Sequence, residues 1–106
     1  MRGVIKGVLA EELQNSLRMK KGYEDALRKL PKGCLALREI KNHKYYYLVI
    51  RKGKKVKYIY KGKLSEEEIK QYEREKLLRA KYRKLLSQVK RQIRFLRSSL
   101  RGKEAI

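Results

Sequence analysis

Three runs rich in tyrosine, valine and isoleucine follow one another closely in the middle of the chain, and their spacing leaves few folds open. They cover Cys34–Ile40, 45–52 and 55–61, separated by Lys41-Asn42-His43-Lys44 and by a break at Gly53. Residues of this kind favour strands. Parallel neighbours need a crossover of a dozen or more residues, so gaps this short permit only antiparallel pairing and a three-stranded meander.

On either side the apolar period changes to that of a helix. Leu9, Leu13 and Leu17, then Tyr23, Leu27 and Leu30, form two stripes that meet near Gly22, predicting one bent helix or two in the N-terminal segment 1–30. That segment must end at Leu30, because Pro31 disfavours helical geometry in the residue before it and Pro31-Lys32-Gly33 is a turn signal. After the sheet segment 31–64, Ser65-Glu66-Glu67-Glu68 fits a capping box, and three glutamates suit the positive end of a helix. The helix should run over 65–102, about 50 Å, with Gly102 ending it and a tail at 103–106. The expected class is α+β: an N-terminal helix, a three-stranded antiparallel meander and a long C-terminal helix in one domain over 1–106.

Composition enters through charge. Of 106 residues, 31 are Lys or Arg and 11 are Asp or Glu, a net charge of +20. Leu, Ile, Val and Phe number 28, enough for a folded chain despite that charge. Residues 34–64 carry ten bases and only Glu39, and 76–103 carry eleven bases and no acid. Such a field selects polyanions as partners.

The long helix carries apolar residues at Leu78, Tyr82, Leu85, Val89, Ile93, Leu96 and Leu100. The eleven-residue interval from Leu78 to Val89 to Leu100 describes a nearly straight seam. One position on lie Arg79, Arg83, Leu86, Lys90, Arg94, Arg97 and Arg101, an almost wholly cationic stripe beside it. Guanidinium groups suit phosphate oxygens, whereas solubility alone is served as well by mixed Glu and Lys. In the sheet, alternation places Leu35, Leu37, Tyr46, Leu48, Ile50, Val56, Tyr58 and Tyr60 toward the helices. The opposite face then presents Ala36, Arg38, Ile40, Tyr45, Tyr47, Val49, Arg51, Lys55, Lys57, Ile59 and Lys61, with cations between tyrosines, although a one-residue slip exchanges the faces.

Several function classes are excluded. One Cys makes no internal disulfide, and one His with one Cys completes no four-ligand zinc site. His43 falls in the expected turn, Asp25 is the only Asp, and no acid–base constellation emerges, so neither catalytic residues, a cofactor nor a small-molecule substrate is expected. Glu66 and Glu75 read as i,i+4 partners of Lys70 and Arg79, and Cys34 as a small strand residue. No apolar run approaches the roughly 20 residues of a membrane span, and the N-terminus lacks a signal-peptide pattern, so a cytoplasmic protein without a membrane partner is expected. The absence of Thr and Trp with abundant Lys, Arg and Glu matches the charge-rich composition of thermophile proteins.

Pro31-Lys32-Gly33, then Lys44-Tyr45-Tyr46-Tyr47-Leu48, then Gly53-Lys54-Lys55-Val56-Lys57-Tyr58-Ile59-Tyr60-Lys61-Gly62-Lys63, followed by a charged helix, resembles small uncharacterised prokaryotic basic proteins over about residues 30–100. More loosely, the sheet with its following helix resembles the arm-type DNA-binding domains of tyrosine recombinases, which lay such a sheet in the major groove. This resemblance implies layout only.

The expectation is therefore non-enzymatic nucleic-acid binding, DNA ahead of RNA, dominated by phosphate contacts. The residues expected to carry it are Arg38, Tyr45, Tyr47, Arg51, Lys55, Lys57 and Lys61 on the sheet, and Arg79, Arg83, Lys90, Arg94, Arg97 and Arg101 on the helix. The alternative is an assembly or adaptor protein that binds an acidic protein. Because the long helix outruns a small sheet, a homodimer through part of 85–100 is expected, unless the first helix folds back over the seam.

Overall fold

The computed structural model describes residues 2–104. Its elements in chain order are α1 (Arg2–Lys29), β1 (Cys34–Ile40), β2 (His43–Lys52), β3 (Lys55–Gly62) and α2 (Glu66–Glu104), the α+β layout read from the sequence. Helix α1 continues through Gly22 without interruption and stops just before the Leu30-Pro31 boundary. Helix α2 does not stop at Gly102 but continues to Glu104. A terminating glycine adopts positive φ, which Gly102 does not, and glycine in a last helical turn costs only about 1 kcal/mol relative to alanine. Of the expected tail, 103 and 104 are thus helical, and 105 and 106 lie outside the described residues. Among the described residues no helix is long and apolar enough to cross a membrane.

The chain separates into two compact units, and α2 contributes to both. The first, Leu30–Arg79, holds the sheet and the opening turns of α2. The strands lie in the order β1-β2-β3, antiparallel throughout. Lys41 and Asn42 alone form the first turn, with φ of 49° and 65°, the positive pair a type I′ hairpin requires. His43 therefore opens β2, paired with Ile40, and is not the turn residue expected. The second turn is Gly53-Lys54, with φ of 61° at Gly53, the glycine-first pattern of type II′. A bulge at Lys61 and Gly62 shifts the β2–β3 register between Tyr46 and Tyr47.

Opposed residues share a face, so the ladder sorts the side chains. Leu35 opposes Leu48, and Leu48 opposes Ile59; Leu37 opposes Tyr46, and Ile50 opposes Lys57. On this side a cleft of about 290 Å³ is lined by Leu35, Leu37 and Tyr46 from the sheet and by Ile69 and Tyr72 from α2, so this is the helix-facing side. At the start of α2, Ser65 Oγ accepts a hydrogen bond from the Glu68 amide at 3.2 Å. Its hydroxyl in turn donates to Glu68 Oε1 at 3.1 Å, which keeps the capping pair but engages the carboxylate with the hydroxyl.

The second unit joins residues 2–29 to α2 from Ala80 onward. Tyr23, late in α1, meets Tyr82, early in this part of α2, with ring centroids 6.3 Å apart. Val89, Ile93 and Leu96 are buried further along α2, so only the earlier turns of α1 can cover them, and the two helices run antiparallel. The central part of the seam expected to pair with a second copy is thus covered by α1 of the same chain. Ser16, 1% exposed, lies in this contact, and among the described residues its Oγ has no hydrogen-bond partner.

Candidate nucleic-acid interface

The ladder opposes Ala36 to Tyr47 and Tyr47 to Tyr60, and on the same side Val49 to Tyr58, Arg38 to Tyr45 and Arg51 to Val56. The open face of the sheet therefore carries Arg38, Tyr45, Tyr47 and Arg51, as expected, but joined by Tyr58 and Tyr60. On β3 the expected faces are exchanged: Val56, Tyr58 and Tyr60 are outward, while Lys55, Lys57 and Ile59 share the side of Leu48 and Ile50. The physical cause is the two-residue turn. With Gly53-Lys54 as the whole loop, Lys52 must oppose Lys55, and every second step then sets Lys57 against Ile50 and Ile59 against Leu48. The two-residue turn is the sequence signal that identifies Tyr58 and Tyr60 as outward; apolar ranking alone turns these large side chains inward. Lys55 and Lys57 remain exposed on the helix-facing side, and Lys61 is exposed at the bulge.

The open face is an aromatic cluster. Tyr60 lies 5.3 Å from Tyr47 and 6.4 Å from Tyr45 between ring centroids, and His43 lies 6.4 Å from Tyr45. Tyr58 and Tyr60 are 67% and 59% exposed, values that leave most of each ring open to a ligand. Among the strand residues no carboxylate stands on this side, since Glu39 opposes Lys44 on the other. A depression of about 390 Å³ is lined by Ala36, Leu37, Arg38, Tyr47 and Tyr58.

Arg79, expected on phosphate, serves the sheet unit instead. Its guanidinium donates to the carbonyl oxygens of Pro31 and, at 3.3 Å, Gly33, and lies 3.8 Å from Cys34 Sγ. The planar fork clasps the turn that leads into β1, an arrangement suited to Arg and not to Lys. Glu75, its expected partner, accepts from Gln71 Nε2 at 3.1 Å instead.

Within the helical unit Arg83, Lys90, Arg94, Arg97 and Arg101 are all exposed, and none has a carboxylate partner among the described residues. The eighteen steps from residue 83 to residue 101 extend about 27 Å along the helix axis. Near its end Arg94, Arg97 and Arg101 line one depression with Leu100. Compared with known proteins, the chain matches no family model, no curated sequence and no solved structure. Its function must therefore be read from these two surfaces. Each is cationic, and each displays groups that no other part of its own unit engages. Among the described residues no group of three His, Cys, Asp or Glu side chains is placed to hold a metal ion.

Proposed function

We propose that this protein binds nucleic acid without transforming it, through phosphate contacts made by the exposed cations of α2 and by the cations around the sheet. The observation that carries the reading is the row Arg83, Lys90, Arg94, Arg97 and Arg101, exposed, unpaired with any described carboxylate, and drawn from a stretch, 76–103, that contains no acid. Five charges along about 27 Å cost self-repulsion that a merely soluble helix avoids by interleaving Glu. A polyanion relieves it and releases the counterions condensed on the phosphates. We keep DNA ahead of RNA as the expectation raised by the loose resemblance of a sheet with a following helix to arm-type DNA-binding domains, a resemblance of layout and not of residues. The binding species is a monomer, because Val89, Ile93 and Leu96 are already covered within the chain. Light scattering at micromolar concentration should give a mass near 12.7 kDa, and twice that mass contradicts the stoichiometry.

The experiment that tests the reading treats the purified protein with nuclease and then titrates it into labelled DNA and RNA of one sequence. Bound nucleic acid should appear as 260 nm absorbance that nuclease removes. Replacing Arg94, Arg97 and Arg101 with Ala should reduce the dependence of log K on log salt by about one unit per cation on duplex DNA. Absence of binding to either nucleic acid, with retention of an acidic protein partner, contradicts it.

A further inference from the structure

We infer that the open sheet face is a stacking platform for single-stranded nucleic acid, with bases laid on Tyr58 and Tyr60 and the backbone held by Arg38 and Arg51. This inference rests on the nucleic-acid reading above and narrows it to one form of ligand. Four tyrosines share the face, and two of them present most of their ring surface outward. In a duplex the bases stack on one another, so it offers a protein its edges and phosphates while its base faces stay occupied. Exposed aromatic faces would meet no matching surface there. A single strand offers base faces together with phosphates, and aromatic rings beside cations are the groups that engage both.

The placement of charge fits the same ligand. Arg38 stands beside Tyr45 and Arg51 six residues further along β2, so the two guanidinium groups flank the tyrosines at positions about 20 Å apart along the strand. The ring surfaces lie between them, and no carboxylate on the face repels the backbone. Ala36, opposed to Tyr47, leaves the depression that Tyr58 and Arg38 border. A larger residue at 36 would fill the space in which a base can lie against a ring. The face lacks Asn and Gln, so it carries none of the bidentate amide readers of adenine, and binding should tolerate any base.

The test uses the full chain, a fluorescein-labelled twelve-nucleotide oligo(dT) and a twelve-base-pair DNA duplex at one salt concentration. The single strand should bind at least tenfold tighter than the duplex. Tyr58→Ala and Tyr60→Ala should each weaken single-strand binding about 5- to 100-fold and leave duplex binding within twofold, while Tyr58→Phe, which keeps the ring, should bind as the parent does. Tyrosine emission of the parent should fall on adding oligo(dT), a second readout that needs no variant. Tighter binding to the duplex, or single-strand binding that survives both alanine substitutions, overturns the platform while nucleic-acid binding stands. Failure of both probes to bind overturns the platform and the reading beneath it together.

Discussion

Tyr60 meets Tyr47 nearly edge to face across the β2–β3 ladder, with ring centroids 5.3 Å apart and planes inclined at 60°. The pair exists because the two residues are direct partners in the register, and it fixes the outward side of β3. Such rings attract through their quadrupoles by about 0.5–1.5 kcal/mol beyond area burial. A double-mutant cycle on Tyr47→Ala and Tyr60→Ala, followed by urea unfolding, should return a coupling in that range. A coupling of zero means the rings are not in contact.

Gly33 should not tolerate a side chain. Its φ is 108°, and an added Cβ would lie 2.9 Å from Leu48 Cδ1 and 3.1 Å from Ile50 Cγ1. Backbone strain and contact with two half-buried side chains act together, so Gly33→Ala should lose about 1–3 kcal/mol in urea unfolding. Unchanged stability would contradict the turn geometry.

Arg79 should matter for folding and not for binding. Removing its hydrogen bonds to the Pro31 and Gly33 carbonyls in Arg79→Ala should cost about 1–2 kcal/mol, and Arg79→Lys, which retains the charge but not the fork, should recover little of it. Affinity for duplex DNA should stay within twofold in both variants. Lost affinity with intact stability would return Arg79 to the phosphate-binding row.

Ser16 points the other way. Among the described residues its buried hydroxyl has no hydrogen-bond partner, so Ser16→Ala removes an unsatisfied polar group and supplies a better helix former. Thermal unfolding should show a gain of about 1 kcal/mol. A loss of that size would mean the hydroxyl is bonded after all.

Much of the fold is legible in the chain itself. The period change at Pro31, the short gaps between strands and the Ser65 capping box lead to the observed element order, because each is a local signal decided within a few residues. The faces of β1 and β2 are legible too, since Leu35, Leu37, Leu48 and Ile50 alternate cleanly. On β3 alternation misleads: Val56, Tyr58 and Tyr60 outrank Lys55, Lys57 and Ile59 in apolar surface, yet the tight Gly53-Lys54 turn dictates the register and turns the tyrosines outward. Strand propensity explains large exposed tyrosines that a burial ranking cannot. Arg79 was illegible for another reason. Its partners lie 46 and 48 residues away, beyond any local pattern, and its place in a cationic row suggested phosphate. The cover over Val89 and Leu96 was likewise undecided, because a folded-back helix and a second copy satisfy the same apolar seam.

The most direct test of phosphate-dominated binding is the affinity of the full chain for a twenty-base-pair duplex measured from low to moderate salt. With about six phosphates neutralised, log K should fall against log salt with a slope near −5. A slope shallower than about −2 would mean that the cations of α2 and the sheet are not engaged by a nucleic-acid backbone, and the account would fail.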